Sequence, residues 1–132
     1  MFSVSPSIRI FLCVVPTDMR RQFDGLIAMV KHTFQADLFS GDYFVFFNRT
    51  CDRCKILYWD HDGAALWAKR LEKGRFQLPA FDGSSLQLQV DATTLALILS
   101  GVDLKSAKRR PRYNRVAALT PESVQVDHSQ GV

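Results

Sequence analysis

The stretch "YFVFF", from Tyr43 to Phe47, places large side chains on both faces of any strand that it forms. Successive residues of a strand point to opposite faces of the sheet, so neither face of this stretch is polar. A strand of this kind is typical of the interior of a sheet. Turn sequences flank it, "SGD" at Ser40–Asp42 and "NRTCDR" at Asn48–Arg53. We therefore predict a strand that is buried on both faces.

Three other segments predict strands around this one. Ile8–Val15 reads "IRIFLCVV", is rich in β-branched and aromatic residues, and is followed by a proline. Cys54–Asp60 reads "CKILYWD" and leads into "DHDG", whose Asp-Gly pair favours a tight hairpin because Gly63 tolerates a positive φ. Leu86–Val90 alternates apolar residues with glutamine, which is typical of a short, half-exposed strand.

Two segments have helical patterns. An apolar stripe predicts one amphipathic helix from about Asp18 to Phe34, with Thr17 as its N-cap. Asp91 is a good N-cap for "ATTLALILSG", and Gly101 would end that second, shorter helix. The predicted fold class is α+β: a small, mainly antiparallel β-sheet packed against one long amphipathic helix, plus a short C-terminal helix.

The segment after the "DHDG" turn fits two structures. Ala64, Trp67, Ala68 and Leu71 recur at helical spacing, and Gly74 would end such a helix. The hairpin turn before them favours a strand instead. The pattern by itself does not decide between a helix and a strand.

The chain has 132 residues, which suits one domain, and 47% of them are hydrophobic, which is enough for a core. A net charge of +4 and a pI near 9.2 favour an anionic partner, although solubility explains so small a charge equally well. Three cysteines are read as reduced thiols, and the apolar run Ile10–Val15 is too short to cross a bilayer. We expect a cytoplasmic protein without a signal peptide or membrane segment.

The composition changes near Lys105. The stretch "KSAKRRPRYNR" holds six basic residues and no acid. We therefore predict a single globular domain over 1–104 and a basic, mostly disordered tail over 105–132. A tail of this kind can contact nucleic acid, and its candidate contacts are Lys108, Arg109, Arg110 and Arg112.

Catalytic and metal sites find little support in the sequence. Cys51 and Cys54 have the spacing of a zinc or redox pair, but no second such pair supplies the remaining zinc ligands. Asp60 and Asp62 could bind nuclease metals, yet aspartates in a turn more often bond to the local backbone. We predict no catalytic residue, no metal and no cofactor.

Basic residues supply the strongest candidate site. Long cationic side chains can neutralise phosphates, and the ordinary alternative is a solvated charged face or a protein-binding face. The candidate residues for nucleic-acid or partner binding are Arg20, Arg21, Lys69, Arg70, Lys73 and Arg75.

Four motifs in one order carry a family resemblance. They are "TDMRRQFDGL" (Thr17–Leu26), "FSGDYFVFFNR" (Phe39–Arg49), "KILYWDHDG" (Lys55–Gly63) and "KRLEKGRFQLP" (Lys69–Pro79). The chain resembles, from Ile8 to about Asp103, the TnpB-type accessory protein of bacterial insertion sequences of the IS66 class. That resemblance implies a strand over Ala64–Arg70 that pairs back on the preceding strand.

The resemblance also implies a function. Such a protein is encoded beside a separate transposase and helps the element to move, while the transposase cuts the DNA. The predicted partners are the transposase of the same element and the DNA of the element ends. A pure protein–protein adaptor is the alternative, and a metal-dependent nuclease that uses Asp60 and Asp62 is a third hypothesis.

Overall fold

The computed structural model describes residues 7–101. Within that range the chain forms five strands and two α-helices. They are β1 (Ile10–Cys13), α1 (Phe23–His32), β2 (Tyr43–Phe47), β3 (Arg53–Asp60), β4 (Gly63–Arg70), β5 (Gln87–Val90) and α2 (Ala92–Ser100), with a short 3-10 turn at Leu38–Ser40.

The strands form one sheet in the order β4-β3-β2-β1-β5. Strand β1 runs parallel to β2, with Ile10 opposite Tyr43, and the connection between them carries α1. The other three pairings are antiparallel, so the predicted α+β class with a mainly antiparallel sheet is confirmed.

Strand β2 is buried at all five positions, as its sequence predicts. Tyr43, Val45 and Phe47 face a core that α2 completes through Leu95, Ile98 and Leu99, and we call this side of the sheet the α2 face. The opposite side, the α1 face, has its own core. That core is formed by Cys13, Leu26, Val30, Phe34, Leu38, Phe44, Phe46 and Leu57. Each helix therefore covers one face of the sheet.

The prediction of one long helix from Asp18 to Phe34 is wrong, because α1 spans only Phe23–His32. Thr17 is not its N-cap: Thr17 is buried, and its amide donates to the Phe47 carbonyl 2.8 Å away. Asp18 then forms a turn, in which its carbonyl accepts from the Arg21 amide. The periodic residue Met19 thus lies in the loop, and Gln22 precedes the first helical residue.

The short second helix follows its predicted signals. The Asp91 carboxylate accepts a hydrogen bond from the Thr94 amide at 2.7 Å. Gly101 ends the helix in the left-handed conformation, with φ of 91°. Strand β4 confirms the strand that the family resemblance implied, since Gly63–Arg70 pairs along its whole length with β3.

In the β3–β4 hairpin, the residue with a positive φ is not the one that the sequence predicted. Asp60 pairs with Gly63, so His61 and Asp62 form the two-residue loop. The positive φ belongs to His61, at 55°, and not to Gly63 as the Asp-Gly signal suggested. A side chain with a Cβ atom is disfavoured in this conformation.

Two predictions concern, wholly or in part, residues outside 7–101. The tail, with Lys108, Arg109, Arg110 and Arg112, lies outside the described residues, and the domain boundary at 104 stays a prediction.

Neither α-helix in residues 7–101 has the length and apolar character that crossing a membrane requires.

Phe44 is fully buried on the α1 face, where its ring lies 5.2 Å from that of Phe34. We expect Phe44→Ala to lower the free energy of unfolding by about 3–5 kcal/mol, because it removes apolar contacts and leaves a cavity. Urea denaturation measures the change. Phe81→Ala is the matched control, since Phe81 is 48% exposed. Equal losses in the two variants would contradict the two-faced burial of β2.

We expect His61→Gly to raise the free energy of unfolding by about 0.5–1 kcal/mol, because the relief of left-handed strain exceeds the entropy cost of glycine. His32→Gly is the control: His32 lies in the last turn of α1, where glycine should destabilise by about 0.5–1 kcal/mol. Thermal or urea unfolding compares the two. A loss of stability in both variants would contradict strain at His61.

Candidate nucleic-acid or partner interface

The pairing register of the strands places several arginines at one end of the sheet and several aspartates at the other. Where β2 ends and β3 begins, Phe47 pairs with Cys54 and Arg53 pairs with Arg70. We call this the arginine end, and it also includes Arg49 in the turn between β2 and β3. The opposite end, where β3 leads into β4, carries several aspartates and is called the aspartate end. Its aspartates are Asp42, Asp60, Asp62 and Asp91.

Two adjoining grooves lie at the arginine end. The first, of about 550 Å³, is lined by Arg20, Arg49 and Arg53. The second, of about 520 Å³, is lined by Arg53, Lys55, Lys69, Arg70 and Glu72. Both grooves include Met19 and Arg53, so they form one continuous surface, which we call the arginine grooves. Cations from three separate segments of the chain meet there.

A hydrogen-bonded turn fixes Arg49 and Arg53. The Asn48 side-chain oxygen accepts from the amides of Asp52 and Arg53, each at 3.0 Å. The Asn48 nitrogen and the Thr50 hydroxyl both donate to the Asp52 carboxylate. These bonds hold the pKa of Asp52 below its ordinary value. The carboxylate therefore stabilises the turn from within.

Lys55 fastens the loop before α1 to the sheet. Its ammonium group donates to the carbonyls of Met19 and Arg21, both at 2.8 Å. The loop that carries Arg20 is thereby held against β3, on the same side as Arg53. Lys55 therefore bonds the loop to the sheet and also lines the arginine grooves.

Two predicted cations line the grooves beside acidic partners. Arg20 donates to both oxygens of Asp18, with its Nη2 2.7 Å from Oδ2, and these bonds lower the pKa of Asp18 to about 2. Arg70 lies 3.2 Å from Glu72. Arg20 is 91% exposed and Arg70 61% exposed, so these pairs are worth little in water and can exchange for another anion.

The other predicted cations are placed differently. The Lys69 ammonium group donates to the Leu99 carbonyl at 3.0 Å, at the C-terminus of α2, which is a favourable place for a cation. Arg21, Lys73 and Arg75 are exposed but do not line the arginine grooves. The structure therefore brings Arg20, Lys69 and Arg70 to one surface, but the Lys69 ammonium group is bonded at the C-terminus of α2.

The family model described as "IS66 Orf2 like protein" matches residues 8–109. The chain belongs to the IS66 Orf2-like family. An uncharacterized protein, y4jC, of Sinorhizobium fredii (strain NBRC 101917 / NGR234) is 36% identical over 111 residues, which cover 84% of this chain and 93% of that relative. A second from the same strain, y4hO, is 28% identical over 116 residues, covering 88% and 99% respectively. No solved structure matches the chain.

Membership of this family suggests an accessory role in transposition. The groove residues that the sequence patterns did not predict in this IS66 Orf2-like protein are Arg49, Arg53 and Lys55. The sequence does show these basic residues, since the stretch "NRTCDRCK" contains all three of them. The local pattern of that stretch indicates only a turn. It does not show that Lys55 forms hydrogen bonds with the loop that carries Arg20.

The three cysteines of this IS66 Orf2-like protein have thiol pKa values that are raised. Burial raises the pKa of the Cys54 thiol, and also that of the half-buried Cys51 and of Cys13. Reactive cysteines need the opposite shift. Within residues 7–101, no group of three or more histidine, cysteine, aspartate or glutamate side chains is placed to hold a metal ion.

We expect Cys54 to react with iodoacetamide at pH 8 at least about tenfold more slowly than free cysteine, because burial blocks access and a raised pKa lowers the thiolate fraction. Cys51 should react before Cys54, and both rates should increase with pH. Mass spectrometry of proteolytic peptides measures each rate, with urea-unfolded protein as the control. Rapid modification of Cys54 in the folded protein would contradict its burial as an inert thiol.

Proposed function

We propose that this IS66 Orf2-like protein is a non-catalytic accessory factor of transposition that binds the DNA of the element ends through the arginine grooves. The transposase of the same element would cut the DNA. The bacterial cytoplasm, where this DNA is found, is the compartment that we propose. The observation that supports the proposal is the meeting of Arg20, Arg49, Arg53, Lys55 and Arg70 on one surface.

The chemistry of that surface suits a phosphate backbone. Arginine presents a planar fork of donors that matches phosphate oxygens, and each neutralised phosphate releases counterions. Arg49 and Arg53 form no ion pair with any residue of 7–101, so their charge is available to a ligand. The carboxylates of Asp18 and Glu72 hold the neighbouring arginines in exposed pairs that a phosphate could replace.

The basic tail is a further proposed contact. The Leu99 carbonyl, two residues before Gly101, is bonded to Lys69 at the arginine end. The chain therefore leaves the described range beside the arginine grooves. We propose that Lys108, Arg109, Arg110 and Arg112, which follow this point in the sequence, contact the same DNA.

We expect binding to duplex DNA from the element ends to weaken with salt, with a log–log slope of about −0.9 per neutralised phosphate. Arg53→Gln should lower the affinity and reduce the magnitude of that slope by about 0.9. Mobility-shift titrations over a salt series measure both quantities.

The matched control is Lys31→Gln, which removes the same charge from the last turn of α1. Helix α1 has 10 residues, so Lys31 lies about 12–15 Å along the helix from its groove-side start. This variant should retain the wild-type slope. Absence of DNA binding at low salt, or equal slopes in the two variants, would contradict the proposal.

A pure adaptor gives a different result in the same experiment. The wild-type protein would then ignore DNA but co-purify with the transposase, and Arg53→Gln would reduce that co-purification. A nuclease would cut the DNA when a divalent metal is added, and Asp60→Asn or Asp62→Asn would abolish the cutting.

A further inference from the structure

An aromatic pair lies at the aspartate end of the sheet, with Phe39 exposed and Trp59 half-buried against the α1-face core. Phe39, in the 3-10 turn Leu38–Ser40, is 69% exposed. Its ring centroid lies 4.5 Å from that of Trp59, with the two planes inclined at 57°. Exposing a phenylalanine forgoes about 1.5–3 kcal/mol of hydrophobic stabilisation, so the Phe39 ring adds little to the fold.

Local hydrogen bonds hold the backbone of Phe39 and the indole ring of Trp59 in place. The Asp37 carboxylate accepts from the Phe39 amide at 2.9 Å and begins the 3-10 turn. Gly41 ends that turn with φ of 85°. The Trp59 indole nitrogen donates to the His61 carbonyl at 3.0 Å. The exposed aromatic surface is therefore preorganised, which lowers the entropy cost of binding a partner.

Two carboxylates belong to the turns around this pair. Asp60 is not one of them: it follows Trp59 directly, but successive strand residues face opposite sides, so its carboxylate lies on the α2 face with Tyr43. Asp37 is part of the same turn as Phe39. Asp62 lies in the adjoining hairpin loop. The groups of opposite or variable charge at this end are Arg9, which is paired with Asp42 at 2.8 Å, Lys31 in the last turn of α1, His32 beside it and the exposed His61.

We propose that Phe39 and Trp59, with the carboxylates of Asp37 and Asp62, form a docking site for a lysine- or arginine-bearing segment of a protein partner. A cation over the face of an aromatic ring is attracted by the ring, and nearby carboxylates strengthen that attraction. The same carboxylates repel phosphates, which makes nucleic acid the poorer occupant.

This site is separate from the arginine grooves. Trp59 is six residues along β3 from Arg53, which corresponds to about 20 Å. One molecule can therefore hold DNA at the arginine end and a protein at the aspartate end. The inference goes beyond the proposed function, because it assigns a second surface with the opposite charge preference.

The test uses the full-length chain against short overlapping synthetic peptides that cover the transposase of the same element. Affinity is measured by fluorescence anisotropy. Phe39→Ala should weaken the tightest peptides by about five- to thirtyfold. Asp62→Asn should also weaken them and reduce their salt dependence. The bound peptides should contain lysine or arginine.

Two control variants distinguish this site from the arginine grooves and from a general effect of removing an exposed ring. Phe23→Ala removes another exposed ring, 42% exposed at the start of α1, and should leave peptide binding unchanged. Arg53→Gln should affect DNA binding but not peptide binding. Circular dichroism confirms that each variant is folded.

Several outcomes would overturn the inference. They are an absence of peptide binding, selection of acidic peptides, equal affinity of wild type and Phe39→Ala, and loss of binding only in Arg53→Gln, which would place the partner in the arginine grooves. Binding of single-stranded DNA that is weakened by Phe39→Ala, without any peptide binding, would assign the aromatic pair to nucleic acid instead. If the protein does not bind DNA but peptide binding follows the expected pattern, the proposed function is rejected and this inference is retained.

Discussion

The burial of β2 on both faces is the constraint on which the rest of the structure depends. Its five residues leave no face of the strand for water, so each side of the sheet needs a cover. Helix α1 covers Phe44 and Phe46, and α2 covers Val45 and its neighbours. Because both faces are occupied, functional side chains are left to the ends of the sheet and to its loops.

The ends of the sheet differ in charge because antiparallel pairing brings distant segments together there. The turn after β2 meets the end of β4, so arginines that are far apart in the sequence become neighbours. At the other end, the β3–β4 hairpin meets the turn before β2, which brings Trp59 beside Phe39. The chain thus carries the arginine grooves at one end of the sheet and the Phe39–Trp59 pair at the other.

Hydrogen bonds determine where the groove cations lie. Asn48 closes the turn that carries Arg49 and Arg53, and Lys55 binds the carbonyls of the loop that carries Arg20. The bonds made by Asn48 Oδ1 and by Lys55 involve no carboxylate, whereas the Asp52 carboxylate that completes the turn interacts with Arg53. Lys69 differs, because its charge is directed to the end of α2.

Local patterns in the sequence determined the sheet class, the buried central strand and the second helix, because alternation of apolar residues and capping by Asp91 and Gly101 act over a few neighbouring positions. They overestimated α1, since Met19 fits a helical stripe but Thr17 is held by the distant Phe47 carbonyl. The identity of β4 as a strand needed the family resemblance, as its own pattern fitted a helix too. Only the tertiary structure decided which cations share a surface, because strand register and the Lys55 tie set distances between residues that no local pattern connects.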